Sequence, residues 1–327
     1  MVPIKRTLET MHTSLRASAA LLAAGGLLLT ATACSSDSED SAAEPGAQKK
    51  ISIVASTSIW ADVAQAVADT ASGVDIEVKP IVEGNGVDPH HFEPSAADIA
   101  KAEDADLLVV NGGGYDSWIY QAVSDQDNII SALPLTDHGK LADDPNVMTI
   151  DAAKKDSEKV TNIEGNEHIW YDPAALDEVA GNIADQINEL NTDANASTER
   201  VDSHVDRLRD KLKELPGDLS YAQTEPIADY IMKYTSGKDV TPEGYRKATI
   251  SEGEPTAADL AAFTKAIKED KVDLLIFNPQ TETDTAGRIK SAAEDADVSI
   301  VEIGETPPDG KEFWTYYDEV TDSLGQL

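Results

Sequence analysis

The stretch E-P-S-A-A-D-I at residues 93–99, which leads into D-L-L-V-V-N at residues 106–111, occurs twice in this chain. Its copy is E-P-T-A-A-D-L at residues 254–260, which leads into D-L-L-I-F-N at residues 273–278. In the first copy Ser95 is followed three positions later by Asp98, which predicts a capped helix. Each copy ends in a short apolar run that suits a buried parallel strand. This long-period repeat predicts two related lobes.

The residues that precede the first copy alternate between strand and helix patterns. Residues 51–56 and 76–82 are β-type runs, and the residues from Ile59 to Val67 place apolar side chains on one helical stripe. Strands that alternate with helices indicate a layered α/β fold with parallel sheets.

A charged helix with one apolar stripe lies between the two copies. Its apolar residues recur every three or four positions, at Val201, Val205, Leu208 and Leu212. Pro216-Gly217 ends the pattern. We expect residues 196–215 to form a long, rigid helix that joins an N-terminal lobe, residues 51–195, to a C-terminal lobe, residues 216–327.

The N-terminus has the pattern of a bacterial lipoprotein. Basic residues precede an uncharged run rich in Ala and Leu that ends at Ala33, which is short for a membrane span and predicts a signal peptide at residues 1–33. Cys34, the one cysteine of the chain, follows directly and is the expected lipidation site. Residues 34–50 are rich in Ser, Asp, Glu and Ala and predict a flexible tether.

The charge of the chain limits its partners. Lys and Arg together number 26 against 61 Asp and Glu, a formal net charge of −35. Such a surface repels nucleic acid phosphates and anionic lipid headgroups. We therefore expect no nucleic acid partner, and attachment to the outer face of the cytoplasmic membrane through acyl chains on Cys34.

Histidine is scarce, and half of it is concentrated in two short runs. The chain has six histidines, of which three lie in D-P-H-H-F-E-P-S at residues 88–95 and N-E-H-I-W-Y-D-P at residues 166–173. Neutral imidazole is the commonest protein ligand of divalent transition metals. Because the two runs are far apart in sequence, a shared metal site must be assembled by tertiary folding.

With these motifs the chain resembles the zinc- or manganese-binding lipoproteins that serve bacterial ABC importers. The resemblance runs from about residue 50 to the C-terminus and also rests on N-G-G-G-Y-D at residues 111–116, T-E-P-I-A-D-Y at residues 224–230 and F-N-P-Q-T-E at residues 277–282. It implies two β/α lobes with the metal between them. The implied function is non-enzymatic: a monomer captures Zn²⁺ or Mn²⁺ and delivers it to an ABC permease.

The resemblance also implies four metal ligands, which are His90, His168, Glu225 and Glu282. His91 is the alternative to His90, and Asp284 is the alternative to Glu282. Two imidazoles and two carboxylates balance a doubly charged cation, and the absence of sulfur ligands disfavours Cu(I). The choice between zinc and manganese stays open, because carboxylates that bind through one or two oxygens suit different coordination numbers.

Two other functions are weighed against this interpretation. The same ligand types can hold the catalytic metal of a secreted metallohydrolase, although no H-E-x-x-H motif occurs. Siderophore and haem receptors share a two-lobe design, but their basic or aromatic clefts contrast with this acidic chain. The N-G-G-G-Y-D run lacks the G-x-G-x-x-G spacing and the lysine of a nucleotide site, and we interpret it as a turn at a lobe edge.

Overall fold

Four parallel strands in the first half of the chain form one sheet. The computed structural model describes residues 50–136 and 162–327. The strands are β1 (Lys50–Thr57), β2 (Asp75–Val82), β3 (Leu107–Val110) and β4 (Ile129–Ser131). They pair in the order β2-β1-β3-β4. All four residues of β3 are buried, as expected for a parallel strand that is covered on both faces.

Four further parallel strands form a second sheet. They are β5 (Ser220–Gln223), β6 (Lys238–Asp239), β7 (Leu274–Phe277) and β8 (Ser299–Glu302). Their order is β6-β5-β7-β8, which is the order of the first sheet when strands are counted from the start of each half. The predicted fold class, an α/β protein with two β/α lobes and parallel sheets, is confirmed.

Ten α-helices connect and flank these strands in the described part of the chain. They are α1 (Ser58–Ala68), α2 (Ala96–Glu103), α3 (Ser117–Tyr120), α4 (Pro173–Leu190), α5 (Glu199–Glu214), α6 (Asp229–Met232), α7 (Glu243–Ile250), α8 (Ala257–Lys268), α9 (Asp284–Asp295) and α10 (Phe313–Gly325).

The sequence repeat is preserved in the hydrogen bonds of the two lobes. At the start of α2, the side chain of Ser95 accepts from the backbone of Asp98, whose side chain accepts in return from the backbone of Ser95. Thr256 and Asp259 form the same reciprocal pair at the start of α8. The capping box predicted at Ser95 is therefore present and has a counterpart at Thr256, and each satisfies otherwise unpaired donors of the first helical turn.

A second pair of equivalent bonds joins strands within each sheet. Asp106, just before β3, accepts a hydrogen bond from the backbone nitrogen of Ser52 at 2.9 Å. Asp273, just before β7, accepts one from the backbone nitrogen of Ser220 at 2.7 Å. The repeated Asp therefore fixes the central strand pair of both lobes in the same way.

One apolar core runs through both lobes. Helices α1, α4, α5 and α10 pack against one another, and their buried side chains form a single cluster with residues from strands of both sheets. The predicted stripe on α5 is confirmed, since Val201, Val205, Leu208 and Leu212 are all buried. This helix has 16 residues, about 24 Å at ~1.5 Å per residue. Because the core is continuous, the predicted lobe boundaries stay predictions.

The last helix, α10, packs against elements of both lobes. The backbone nitrogen of Phe313, the first residue of α10, donates a 2.6 Å hydrogen bond to the carboxylate of Asp62 on α1. Phe313 itself is buried in the shared core. Helix α10 therefore adds packing contacts between the two halves, and the linking helix predicted at residues 196–215 stays a prediction.

Several predictions fall on residues outside the described part of the chain. They concern the signal peptide, the lipidation of Cys34, almost all of the tether, and the histidine at position 138. Within residues 50–136 and 162–327, no helix combines the length and apolar character needed to cross a membrane.

Replacing a core residue of the shared helical layer should destabilise the whole unit. Ile183 on α4 is fully buried, so Ile183→Ala leaves a cavity and should lower the free energy of unfolding by about 2–5 kcal/mol. Chemical denaturation followed by circular dichroism measures this change. Glu189→Ala, an exposed change on the same helix, should stay within about 0.5 kcal/mol of the parent. Equal effects of the two substitutions would contradict this assignment of the core.

Candidate metal centre

The candidate site lies where the carboxyl ends of strands from both sheets meet. His90 follows β2, Glu225 follows β5 and Glu305 follows β8. His168 lies on the segment that precedes α4. Ligand sites of open α/β sheets commonly form at this end of the strands, because the loops that leave parallel strands converge there.

Local hydrogen bonds fix the two histidines. His90 lies in a 3₁₀ turn, Pro89–His91, and its backbone nitrogen donates to the side chain of Asp88 at 2.9 Å. His168 directly precedes a second such turn, and its backbone nitrogen donates to the side chain of Asn166 at 2.9 Å. Each imidazole is therefore presented by a short turn whose first residues are held by a neighbouring side chain.

Four side chains bring potential ligand atoms together. His90, His168, Glu225 and Glu305 each offer one atom, and these atoms all lie within 4.8 Å of one another. His168 Nε2 is 3.2 Å from Oε1 of Glu305 and 3.6 Å from Oε1 of Glu225. His90 Nε2 is 3.7 Å from an oxygen of each carboxylate. Both rings therefore direct the same nitrogen toward the same pair of carboxylates.

The other ring nitrogens are held by acceptors. His168 Nδ1 lies 2.7 Å from the amide oxygen of Asn166, whose amide nitrogen in turn donates to the backbone oxygen of Pro226 at 2.5 Å. His90 Nδ1 lies between carboxylate oxygens of Glu167 and Glu252. A hydrogen on Nδ1 leaves Nε2 as the ligand atom, which is the usual role of acceptors behind metal-binding histidines.

A single amide links the two carboxylates. The side-chain nitrogen of Asn278 donates to Oε2 of Glu225 at 2.6 Å and to Oε1 of Glu305 at 2.7 Å. The hydroxyl of Thr281 also donates to Oε2 of Glu225. Glu305 is fully buried, and its Oε2 accepts from the hydroxyl of Tyr115 at 3.3 Å. These bonds orient the carboxylates and compensate for their removal from water.

The glycine run presents Tyr115 to the site. Gly112, Gly113 and Gly114 all have positive φ, a conformation that glycine adopts without steric cost. A Cβ on Gly112 would also lie 2.1 Å from the carbonyl oxygen of Leu133. The ring of Tyr115 packs edge-on against His90 with centroids 4.7 Å apart. The run is thus part of the wall of the site, a role that its interpretation as a lobe-edge turn missed.

The carboxylates raise the pKa of both histidines. Burial alone would lower the pKa of His168, but the charges of Glu305 and Glu225 and their hydrogen bonds raise it to about 10. Burial is likewise outweighed at His90, where Glu167, Glu252 and Glu305 raise the pKa well above its usual range. Burial would raise the pKa of Glu305, yet the two histidines hold it far below its ordinary value.

These shifts also set how the charges contribute to stability without metal. The pKa of His168 is higher in the folded state than its ordinary value of 6.5, so its protonated form stabilises the folded state. This contribution is complete below pH 6.5. The contribution is lost as the pH rises through about 10.

The structure brings three of the four predicted ligands together and places the fourth elsewhere. Glu282 is exposed just before α9, with Oε1 close to Gly287 of that helix, and is not part of the cluster. Asp284 is also exposed, as the first residue of α9. The carboxylate in the cluster is Glu305. The side chain of His91, the alternative to His90, is 76% exposed and contacts Asp88 instead.

Sequence reasoning missed Glu305, although a signal for it exists. Glu305 lies three residues beyond β8, a strand of the same lobe in which Glu225 follows β5. Residues 298–303, V-S-I-V-E-I, form a β-type run shortly before Glu305, so a comparison of the acidic residues that follow every such run of the second lobe would have included it. Asn278, directly after β7, belongs to the F-N-P-Q-T-E motif, whose sequence does not reveal that its side chain bridges two carboxylates.

Comparisons with known proteins agree with this fold. Residues 53–327 match the family described as ZnuA, zinc-uptake complex component A, periplasmic. The zinc-binding lipoprotein AdcA of Streptococcus pneumoniae is 23% identical over 217 residues, which cover 64% of this chain but only 42% of AdcA. The manganese ABC transporter substrate-binding lipoprotein PsaA of the same species is 23% identical over 312 residues, or 90% of this chain and 92% of PsaA.

Solved structures show the same fold. The laminin-binding protein Lmb of Streptococcus agalactiae aligns with a TM-score of 0.57 at 21% identity. The alignment covers 85% of this chain and 98% of Lmb. At this identity the likeness establishes the fold alone.

Metal binding at this cluster should release protons. At neutral pH the raised pKa values keep both imidazoles protonated, whereas a metal ion takes only the neutral form. We expect at least one proton released per ion, and an apparent zinc affinity that rises from about pH 6 to about pH 8. Calorimetric titrations in buffers of different ionisation enthalpy count the protons. Binding without proton release would contradict the protonation described above.

Proposed function

The chain belongs to the periplasmic zinc-uptake complex component A family, and on this premise we propose that it captures a divalent transition metal and delivers it to an ABC permease. The names of AdcA and PsaA support zinc or manganese as the cargo. In this role the ion is the transported ligand rather than a catalytic cofactor. The observation that carries the proposal is the convergence of two imidazoles and two carboxylates within 4.8 Å.

We infer that the ligands are His90, His168, Glu225 and Glu305. Glu305 takes the place that the sequence interpretation gave to Glu282, because a ligand must reach the ion and only Glu305 belongs to the cluster. With neutral imidazoles, the two carboxylates balance the charge of a divalent cation.

The hydrogen bonds around the carboxylates favour zinc. Oε2 of Glu225 already accepts from Asn278 and Thr281, and both oxygens of Glu305 accept from neighbouring side chains. Carboxylates engaged in this way bind an ion through one oxygen each, which gives the four-coordinate geometry typical of zinc. Manganese takes more oxygen donors, so it would require the carboxylates to give up some of these bonds.

A receptor explains the cluster better than a metallohydrolase does. A catalytic zinc site has three protein ligands and keeps one position for water or substrate. Here four side chains converge, and both histidines and Glu305 are almost completely removed from solvent. Such a site suits holding an ion rather than exposing it to a substrate.

The location forms part of the proposal. We infer that cleavage before Cys34 and lipidation of this cysteine anchor a monomer on the outer face of the cytoplasmic membrane. The lipoprotein names of AdcA and PsaA support this anchoring. There, residues 51–195 and 216–327 would form the two lobes that present the ion to the permease, with residues 196–215 as the linking helix.

Removing one inferred histidine ligand should abolish tight binding. His90→Ala should weaken zinc binding at least about a hundredfold, or about 2.7 kcal/mol, because the remaining donors cannot complete the coordination. His91→Ala is the matched control, since His91 is the exposed neighbour of His90. Titration against a competing zinc chelator measures both, and a parallel competition with Mn²⁺ tests the preference for zinc. Equal affinities of the two variants would reject the assignment.

A pair of conservative carboxylate changes should identify the fourth ligand. Glu305→Gln keeps the size of the side chain but removes its charge, and should weaken zinc binding about tenfold or more. Glu282→Gln should leave the affinity unchanged, because Glu282 lies outside the cluster. Isothermal titration gives both dissociation constants. The reverse pattern would restore Glu282 as the ligand.

A further inference from the structure

A second pair of carboxylates meets the far side of the His90 ring. Its Nδ1 lies 2.8 Å from Oε1 of Glu167 and 2.7 Å from Oε1 of Glu252. His90 follows β2 of the first lobe, whereas Glu252 lies between α7 and α8 of the second lobe. The nitrogen that does not face the cluster is thus bound from the opposite lobe as well as by Glu167.

We propose that Glu252 is a positioning residue that slows the release of the bound ion. Its hydrogen bond to His90, which we call the clasp, joins the two lobes. The inference rests on the proposed function, because it treats His90 as a ligand. An acceptor behind a metal-binding histidine fixes the orientation of the ring and raises its basicity. Glu252 belongs to the opposite lobe. A movement that separates the loop of Glu252 from the loop of His90 would therefore break the bond between them.

The two carboxylates differ in their surroundings. The side chain of Glu167 is 5% exposed, and its backbone oxygen accepts from the amide of Asn111 at 2.9 Å. The side chain of Glu252 is 30% exposed. It lines a cavity of about 280 Å³ whose wall also includes His90 and Glu225. Glu167 is therefore a fixed support, whereas Glu252 lies beside the cavity that adjoins the cluster.

The backbone places Glu252 at a left-handed helix end. Glu252 has a φ of +49°, directly after the C-terminal turn of α7. The backbone nitrogen of Gly253 donates to the carbonyl oxygen of Ala248, which closes the helix end. Glycine is the usual residue at this left-handed position, because a side chain there is disfavoured. Asp270 and Asp297 adopt the same left-handed conformation after α8 and α9, so the contact with His90, and not the backbone conformation, distinguishes Glu252.

The repeat explains how this loop meets His90. Glu252 precedes E-P-T-A-A-D by the same spacing at which His91 precedes E-P-S-A-A-D. The two loops are therefore equivalent parts of the two lobes, each placed by a capped helix that follows it. The first loop carries the ligand, and its counterpart carries the residue that holds the ligand.

The test compares zinc release from the full-length protein and three variants. Glu252→Gly removes the carboxylate while suiting the left-handed backbone, and should accelerate zinc dissociation about tenfold or more. Glu252→Gln keeps an oxygen acceptor for Nδ1–H and should stay within about threefold of the parent. Glu254→Gly is the control, since it removes an exposed carboxylate from the same loop and cavity wall. Stopped-flow mixing of the zinc-loaded protein with excess chelator measures the rates.

The outcomes separate this inference from the proposed function. Acceleration in Glu252→Gly alone supports the clasp. Release at the parental rate from Glu252→Gly, or equal acceleration in either of the other variants, overturns it while leaving the receptor function intact. Failure of the parent protein to bind zinc or manganese overturns the proposed function and the clasp together.

Discussion

The candidate site depends on one carboxylate that is completely removed from water. An isolated charge in the position of Glu305 would be strongly unfavourable. It is compensated by the amide of Asn278, the hydroxyl of Tyr115 and the imidazole of His168. The same compensation forms the site, because the groups that stabilise Glu305 also fix the other donors. In the absence of metal the two histidines carry the positive charge that a divalent cation would supply.

The two lobes share a repeated backbone arrangement, but equivalent residues in them make different contacts at the site. Asn111 and Asn278 hold equivalent positions directly after β3 and β7. Asn111 donates to the backbone of Glu167, whereas Asn278 donates to the carboxylates of Glu225 and Glu305. One lobe therefore supports the segment that carries His168, and the other orients the acidic donors. A shared core of packed helices holds the two sheets next to each other. The site residues lie on loops at the carboxyl ends of the strands.

Much of the fold follows from local patterns in the sequence. The repeated capping boxes at Ser95 and Thr256 and the apolar strands β3 and β7 are determined by neighbouring residues, so both halves could be recognised without a structure. The scarcity of histidine indicates His90 and His168 as candidate ligands, and the family resemblance adds Glu225. The packing of α10 against α1 was not predicted, because nothing in the local pattern of α10 specifies its distant partner.

What the sequence alone determined is therefore the type of fold, its duplication and the class of metal-binding residues it contains. Only the tertiary structure decided which carboxylate completes the cluster. Glu282 and Glu305 both follow strands of the second lobe, but the chain after β7 turns Glu282 toward the start of α9, where a helix N-terminus favours an acidic side chain. The chain after β8 instead carries Glu305 inward against Asn278 and His168. Distances between loops depend on how both sheets pack around one core, and residue spacing along the chain does not contain that information.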